Sequence, residues 1–191
     1  MNESKIKRLY NKFTFQAALL LAPLAYAIHQ IEETTLGFRE WRGKYFGATN
    51  PLPSEIFFAM LMALDIAYII LYNIWPNRVT AQIVLLGFLT TEFHNAFYHL
   101  IGSLYFGEFS PGLITGLLLY VPISCFIILR AYQENLMNKV SGTFLIVIAG
   151  VLFWTFEFIG VIIIVIFQIS RVLILYIILI DSIAICGPRN S

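Results

Sequence analysis

Residues 13–33 read FTFQAALLLAPLAYAIHQIEE, an almost unbroken apolar run that ends in a histidine and two glutamates. About 20 apolar residues in helical form cross the roughly 30 Å hydrocarbon core of a bilayer. The pattern recurs down the chain: about Glu55 to Trp75, about Val79 to Leu104, Ser110 to near Tyr132, and about Thr143 to Gln168. A shorter run from Arg171 to Cys186 suits a short sixth span or an interfacial segment, and we lean towards a span. The expectation is an all-α, polytopic transmembrane helical bundle of five to six spans, forming one domain over residues 1–191.

Composition agrees. Of the 191 residues 59% are hydrophobic and 12% charged, with a mean hydropathy of +0.81. Soluble domains carry about 25% charged residues, enough to cover a wet surface. A net charge of +1 offers no footing for nucleic acid, so none is expected as a partner; the lipid bilayer is. Cys125 and Cys186 lie in apolar stretches with neither disulfide-framework nor metal-site spacing, and read as packing residues.

Turn chemistry sets the boundaries. After the first run comes a polar stretch with Arg39, Glu40, Arg42 and Lys44, then Asn50-Pro51-Leu52-Pro53. Trp41, Tyr45 and Phe46 within it are suited to anchoring at lipid headgroups. Ser54 reads as the cap of the second helix, which stops at Trp75-Pro76-Asn77. Ser110-Pro111-Gly112 reads as a cap followed by proline at the first helical position. Gln133 to Lys139 reads as a polar linker. Gly112-x-x-x-Gly116 permits close helix approach and by itself says nothing about chemistry.

Basic residues orient the bundle. With the N-terminus cytoplasmic, the inner side holds Lys5, Lys7, Arg8, Lys12, Arg78, Arg130, Lys139 and Arg189, and the outer side Arg39, Arg42, Lys44 and Arg171. That imbalance favours a multi-pass protein with a cytoplasmic N-terminus. The basic head and Ala25-Tyr26-Ala27 also imitate a cleavable signal peptide, but the apolar stretch is long and runs directly into charged residues of helical spacing.

In so apolar a chain, titratable residues at membrane depth are the informative ones, because each costs about 2.5 kcal/mol or more unless paired, wetted or bound. At about 100° per residue, His29, Glu32 and Glu33 project from one face of the first helix. An imidazole beside two carboxylates suits a divalent metal or a proton relay. Glu92, Asn95 and His99 share a face of the third helix; His94 points the opposite way, and Tyr98 lies one step from that face. The first and third helices run in the same direction, so both clusters reach the same end of the bundle. The rival reading places them as solvated side chains at helix ends. Asp65 and Glu157 lie nearer helix centres, with no lysine or arginine at comparable depth in the sequence, and are candidate pathway or core acids.

His29-Gln30-Ile31-Glu32-Glu33, at the end of the first helix, resembles the motif that names the HXXEE family of bacterial membrane proteins. Asn95-x-x-x-His99 and Ser110-Pro111-Gly112-Leu113-Ile114-Thr115 are similar to that family's later pattern. The likeness covers about residues 10–132; the hydrophobic helices of 143–186 and Glu157 lie outside it. It implies a multi-helix domain in a bacterial plasma membrane and supports the importance of His29, Glu32, Glu33, Asn95 and His99. It implies no particular reaction.

The leading expectation is a membrane-embedded divalent metal site, zinc fitting a mixed histidine and carboxylate set, acting on a lipid or other apolar substrate. His29, His99 and Glu33 would be ligands, one of Glu32 and Glu33 the general base on a metal-activated water, and Asn95 and Glu92 outer partners. The alternatives are a small proton-coupled transporter using the same groups with Asp65 and Glu157, and a non-catalytic membrane partner.

Overall fold

The computed structural model describes residues 13–47 and 52–159. The expected last run, with Arg171 and Cys186, lies outside them, as does the basic head. Among the described residues every regular element is helical and there is no strand.

The first rod is two helices, α1 (Phe15–Leu19) and α2 (Leu21–Thr35), rather than one. Pro23 has no N–H for the Leu19 carbonyl, and its ring crowds that oxygen, so the chain tightens at Leu20, whose N–H turns to Ala17. The expected polar loop contains a helix, α3 (Phe38–Phe46), bracketed by Gly37 and Gly47 with positive φ of 75° and 64°. Trp41 is 5% exposed and packs on Phe38 and Phe106, because α3 folds back onto the bundle instead of lying outside it.

The second rod, α4 (Ser54–Ile74), has Pro53 at its cap position; Ser54 is already helical and makes no capping bond. The third rod comprises α5 (Arg78–Phe88), a π-helical turn at Leu89–Phe93, and α6 (His94–Phe106). Asn77 and Thr80 open it with reciprocal capping bonds. Inside it, Thr90 and Thr91 donate to the Leu86 and Gly87 carbonyls at 2.7 and 3.1 Å, serving oxygens that the widened turn strains.

The fourth rod begins later than Ser110. Gly112 has φ +101°, a left-handed conformation that no helix accepts, so α7 is Leu113–Thr115. It runs through a π-helical turn at Gly116–Tyr120 into α8 (Val121–Gln133). Pro122 explains that turn: it cannot donate to the Leu118 carbonyl, and a wider turn relieves the clash. The expected linker ends early, since Asn138 accepts from the Ser141 N–H at 2.9 Å and α9 runs over Lys139–Ile159.

Among the described residues three helical rods, Ser54–Ile74, Leu113–Gln133 and Lys139–Ile159, are long and apolar enough to cross a membrane. Only 11% of the most apolar stretch of Ser54–Ile74 is buried inside the bundle, so its side chains face outward. Met60, Ile70, Leu118, Val140 and Phe144 stand exposed on that outer surface. The interior instead gathers Phe15, Leu19, Leu85, Phe88 and Ile127. The other two rods fall short for different reasons, one divided at Leu20 and one loaded with polar residues.

Gly116 meets Ala96 where the third and fourth rods touch: a Cβ there would lie 3.1 Å from the Ala96 Cα. Gly116→Leu should therefore lower stability by about 1–3 kcal/mol, through overpacking against backbone that cannot yield. Thermal unfolding of detergent-solubilised protein checks this; an unchanged melting temperature would show that the rods are not in contact.

Candidate functional site

The expected convergence of the first and third rods is present. His29 on α2 is 2% exposed and His99 on α6 is fully buried, with ring centres 5.1 Å apart. Glu33, one turn after His29, places Oε1 between them, 3.5 Å from His29 Nε2 and 3.2 Å from His99 Nε2. Both Nε2 atoms are buried and neither has a well-formed hydrogen bond. Two ligand atoms about 2.0 Å from a tetrahedral metal sit about 3.3 Å apart, which these distances bracket.

The far side of each ring is held by a hydroxyl. His29 Nδ1 lies 2.8 Å from Thr115 Oγ1, and His99 Nδ1 lies 2.9 Å from Ser110 Oγ. The Thr115 hydroxyl is also set to donate to the Gly112 carbonyl, at 3.5 Å. In the tautomer that donates from Nδ1 to this hydroxyl, His29 leaves a lone pair on Nε2. A lone pair beside a carboxylate oxygen suits a cation shared between them, whereas the other tautomer donates Nε2–H to Glu33. Hydroxyl-oriented imidazoles of this kind are the usual second layer of a metal centre.

Glu32 does something different. Its Oε1 accepts from the Gly112 and Ile114 N–H groups at 3.0 and 3.2 Å, and its Oε2 from the Thr115 N–H at 2.7 Å. Three amides at the start of a helix, which α7 cannot satisfy internally, converge on one carboxylate. The first rod thereby fixes the start of the fourth, where Thr115 and Ser110 reach the imidazoles.

Gly112 completes the enclosure. A Cβ there would lie 2.6 Å from His99 Cε1 and 2.8 Å from His29 Cε1. The spacing that the sequence offers as a packing signal thus also places backbone directly against both rings. Phe38 of α3 covers His99 at a ring separation of 5.0 Å, and Tyr120 covers His29 at 4.4 Å. A cavity of about 410 Å³ opens beside the triad, lined by His29 and Glu33 together with Tyr26, Asn95, Tyr98 and Phe156.

The remaining sequence candidates separate. Asn95 lines the cavity. Glu92 sits in the π-helical turn, fully buried, with no hydrogen-bond partner for either oxygen. Asp65 is 2% exposed on α4. Glu157 is paired with Arg42 at 2.7 Å, a partner that the sequence places in a loop but α3 brings inward. His94 faces away and contacts the Ile146 carbonyl at 2.9 Å. A second tie joins α3 to the rim of the site, where exposed Glu108 pairs with Lys44 and Tyr45. The hydrogen bond from Lys44 holds the Glu108 carboxyl below its ordinary range, and Lys44 is raised in return.

Sequence reasoning missed Thr115, Ser110 as an imidazole partner, and Gly112 as a wall. The stretch Ser110 to Thr115 carried the only signal, as part of the family resemblance. Among the described residues, His29, Glu33 and His99 are the one group of three such side chains, with ligand atoms within 4.8 Å of one another, that could hold an ion.

Two substitutions separate the glutamates. Glu32→Gln should cost about 1–3 kcal/mol of stability, since a charged acceptor of three amides is lost. Glu33→Gln should cost less than Glu32→Gln in metal-free protein, because its carboxylate meets two imidazoles and none of the three amides that Glu32 holds. Equal melting shifts for the two would contradict this division. Gly112→Ala should destabilise more than a typical surface change of about 0.5 kcal/mol and displace both imidazoles, because neither its φ nor its space admits a methyl group. Imidazole resonances unmoved by that change would contradict the close approach.

Comparison with known proteins agrees with the part of the chain that builds this site. No solved structure matches it. It is 31% identical over 117 residues to the uncharacterized protein YrkK of Bacillus subtilis (strain 168), an alignment that spans 59% of this chain and 73% of the relative. Residues 20–127, from the first rod through most of the fourth, match the family described as a protein of unknown function with an HXXEE motif. Its His29, Glu32 and Glu33 are that motif, and the chain belongs to the HXXEE family.

Proposed function

We propose that this protein is an integral membrane protein in which His29, His99 and Glu33 hold one divalent metal at the head of a cavity. The observation that carries the reading is the pair of imidazole Nε2 atoms, each buried and turned on the same carboxylate oxygen at 3.5 and 3.2 Å. Two nitrogens and one oxygen suit zinc, and iron or manganese also accepts such a set. Three protein ligands leave a coordination position for a substrate or water, the arrangement of catalytic rather than structural sites.

The reaction class that fits is metal-assisted hydrolysis of an amphipathic, lipid-like substrate. A bound metal would supply Lewis-acid polarisation of a substrate oxygen or a water. The chain's own contribution is orientation and exclusion. Thr115 and Ser110 fix the ring tautomers, Gly112 and Tyr120 shut out bulk water, and Asn95 offers an amide to a substrate's polar group. Glu32, with both oxygens engaged by amides, positions the fourth rod and is not free to act as general base. The apolar outer faces support insertion in a bilayer, and the excess of basic residues on one side supports a cytoplasmic N-terminus.

Elemental analysis of detergent-purified protein tests the site. About one zinc, iron or manganese per chain is expected, lost in His29→Ala and His99→Ala. Thr115→Val and Ser110→Ala should each weaken metal affinity by about 10–100-fold without abolishing it. Occupancy should also fall as the solution is acidified, since protons compete for the imidazole nitrogens. Metal-free wild-type protein that moves protons across liposomes would overturn the reading in favour of a transporter.

A further inference from the structure

Beyond the triad, the bundle holds a second set of buried polar groups, of which the proposed reaction uses only Asn95. Glu92 is fully buried, and neither Oε1 nor Oε2 has a partner among the described residues. Asp65, 2% exposed, lies one turn before Tyr68, whose ring packs on Gly87 and Phe88 about one turn before Glu92 on the third rod. The Tyr26 hydroxyl and the Asn95 side-chain oxygen are also buried without partners among the described residues. Tyr26 is 5% exposed. All the donors are oxygens, whereas the triad is mostly nitrogen.

Placement joins the two sets. Tyr26 precedes His29 by three residues on α2, and Glu92 precedes His99 by seven on the third rod. Each lies deeper along its rod, towards the middle of the bundle. The π-helical turn at Leu89–Phe93 carries Glu92, and such turns recur where a helix is bent to present a functional group. Tyr26 and Asn95 line the cavity that also reaches His29 and Glu33, while Asp65 and Glu92 are not on its wall. A cation in that cavity lies beside the phenol and the amide of the second set.

We infer that Asp65, Glu92, Asn95 and Tyr26 form a second site, for a hard, oxygen-preferring cation distinct from the metal of the triad. Two carboxylates on facing rods repel one another in a dry interior, and no lysine or arginine pairs with either of them among the described residues. An amide oxygen and a phenol beside them complete a donor set typical of sodium, magnesium or calcium rather than zinc. The bound ion would tie the second rod to the first and third below the triad.

The test is thermal unfolding of the full chain in detergent after chelator treatment, so that metal at the triad does not enter. Salts of sodium, magnesium and calcium are compared with choline chloride at matched ionic strength. At least one of the three cations should raise the melting temperature by about 5 °C or more, and the size ordering identifies the ion. The rise should vanish in Glu92→Gln and Asp65→Asn and persist in His99→Ala. Identical melting of wild-type protein in every salt would overturn the site, whether or not the variants fold. A rise that survives in Glu92→Gln would overturn it as well.

Discussion

The Glu33 carboxylate, held within 3.5 Å of two buried imidazole nitrogens, sets the terms for the rest of the bundle. Buried polar atoms left without partners carry a penalty that falls on the fold. A cation shared by the three groups would remove it and draw the first and third rods together. The architecture around them is correspondingly rigid: hydroxyls fix each ring from behind, and aromatic rings close the faces. A site of this kind depends on a supporting layer as much as on the groups that would bind.

The irregularities of the helices belong to the same design. The apolar rods Ser54–Ile74 and Lys139–Ile159 run unbroken, whereas the three rods that build the site are broken or widened. Pro23 divides the first, the turn at Leu89–Phe93 bends the third, and Gly112 delays the start of the fourth. Each departure has a local chemical cause, and each brings a polar group to the interior. The helix Phe38–Phe46 adds a cover held by ion pairs to Glu157 and Glu108, on two separate parts of the chain.

Much of this was legible in the sequence, for physical reasons. Apolar runs of bilayer length fix where rods lie, because so few other folds tolerate them. Parity put His29 and His99 at the same end of the bundle, since rods one and three run the same way; their meeting at 5.1 Å is a matter of packing that the sequence left open. What was not legible depended on backbone conformation. Ser110 resembles a helix cap, and nothing in its neighbours announces that Gly112 will take a left-handed φ and free its hydroxyl for His99. Arg42 likewise sits in a stretch that reads as a loop; only the folding back of α3 reveals it as the partner of Glu157. The two glutamates of the motif look equivalent at helical spacing, yet a rotation of about 100° sends one to the two imidazole nitrogens and the other to backbone amides.

The grip of Glu32 on the amides of Gly112, Ile114 and Thr115 also makes this a protein that counts residues. The distance and azimuth from the break at Leu20 to Glu32 are set by an integral number of helical steps, each about 1.5 Å and 100°. Adding or deleting one residue anywhere in that interval would swing His29, Glu32 and Glu33 away from their partners together. Natural length variation in the family should therefore be confined to the segments outside the interval, leaving the rod from Leu21 to Glu33 free of gaps.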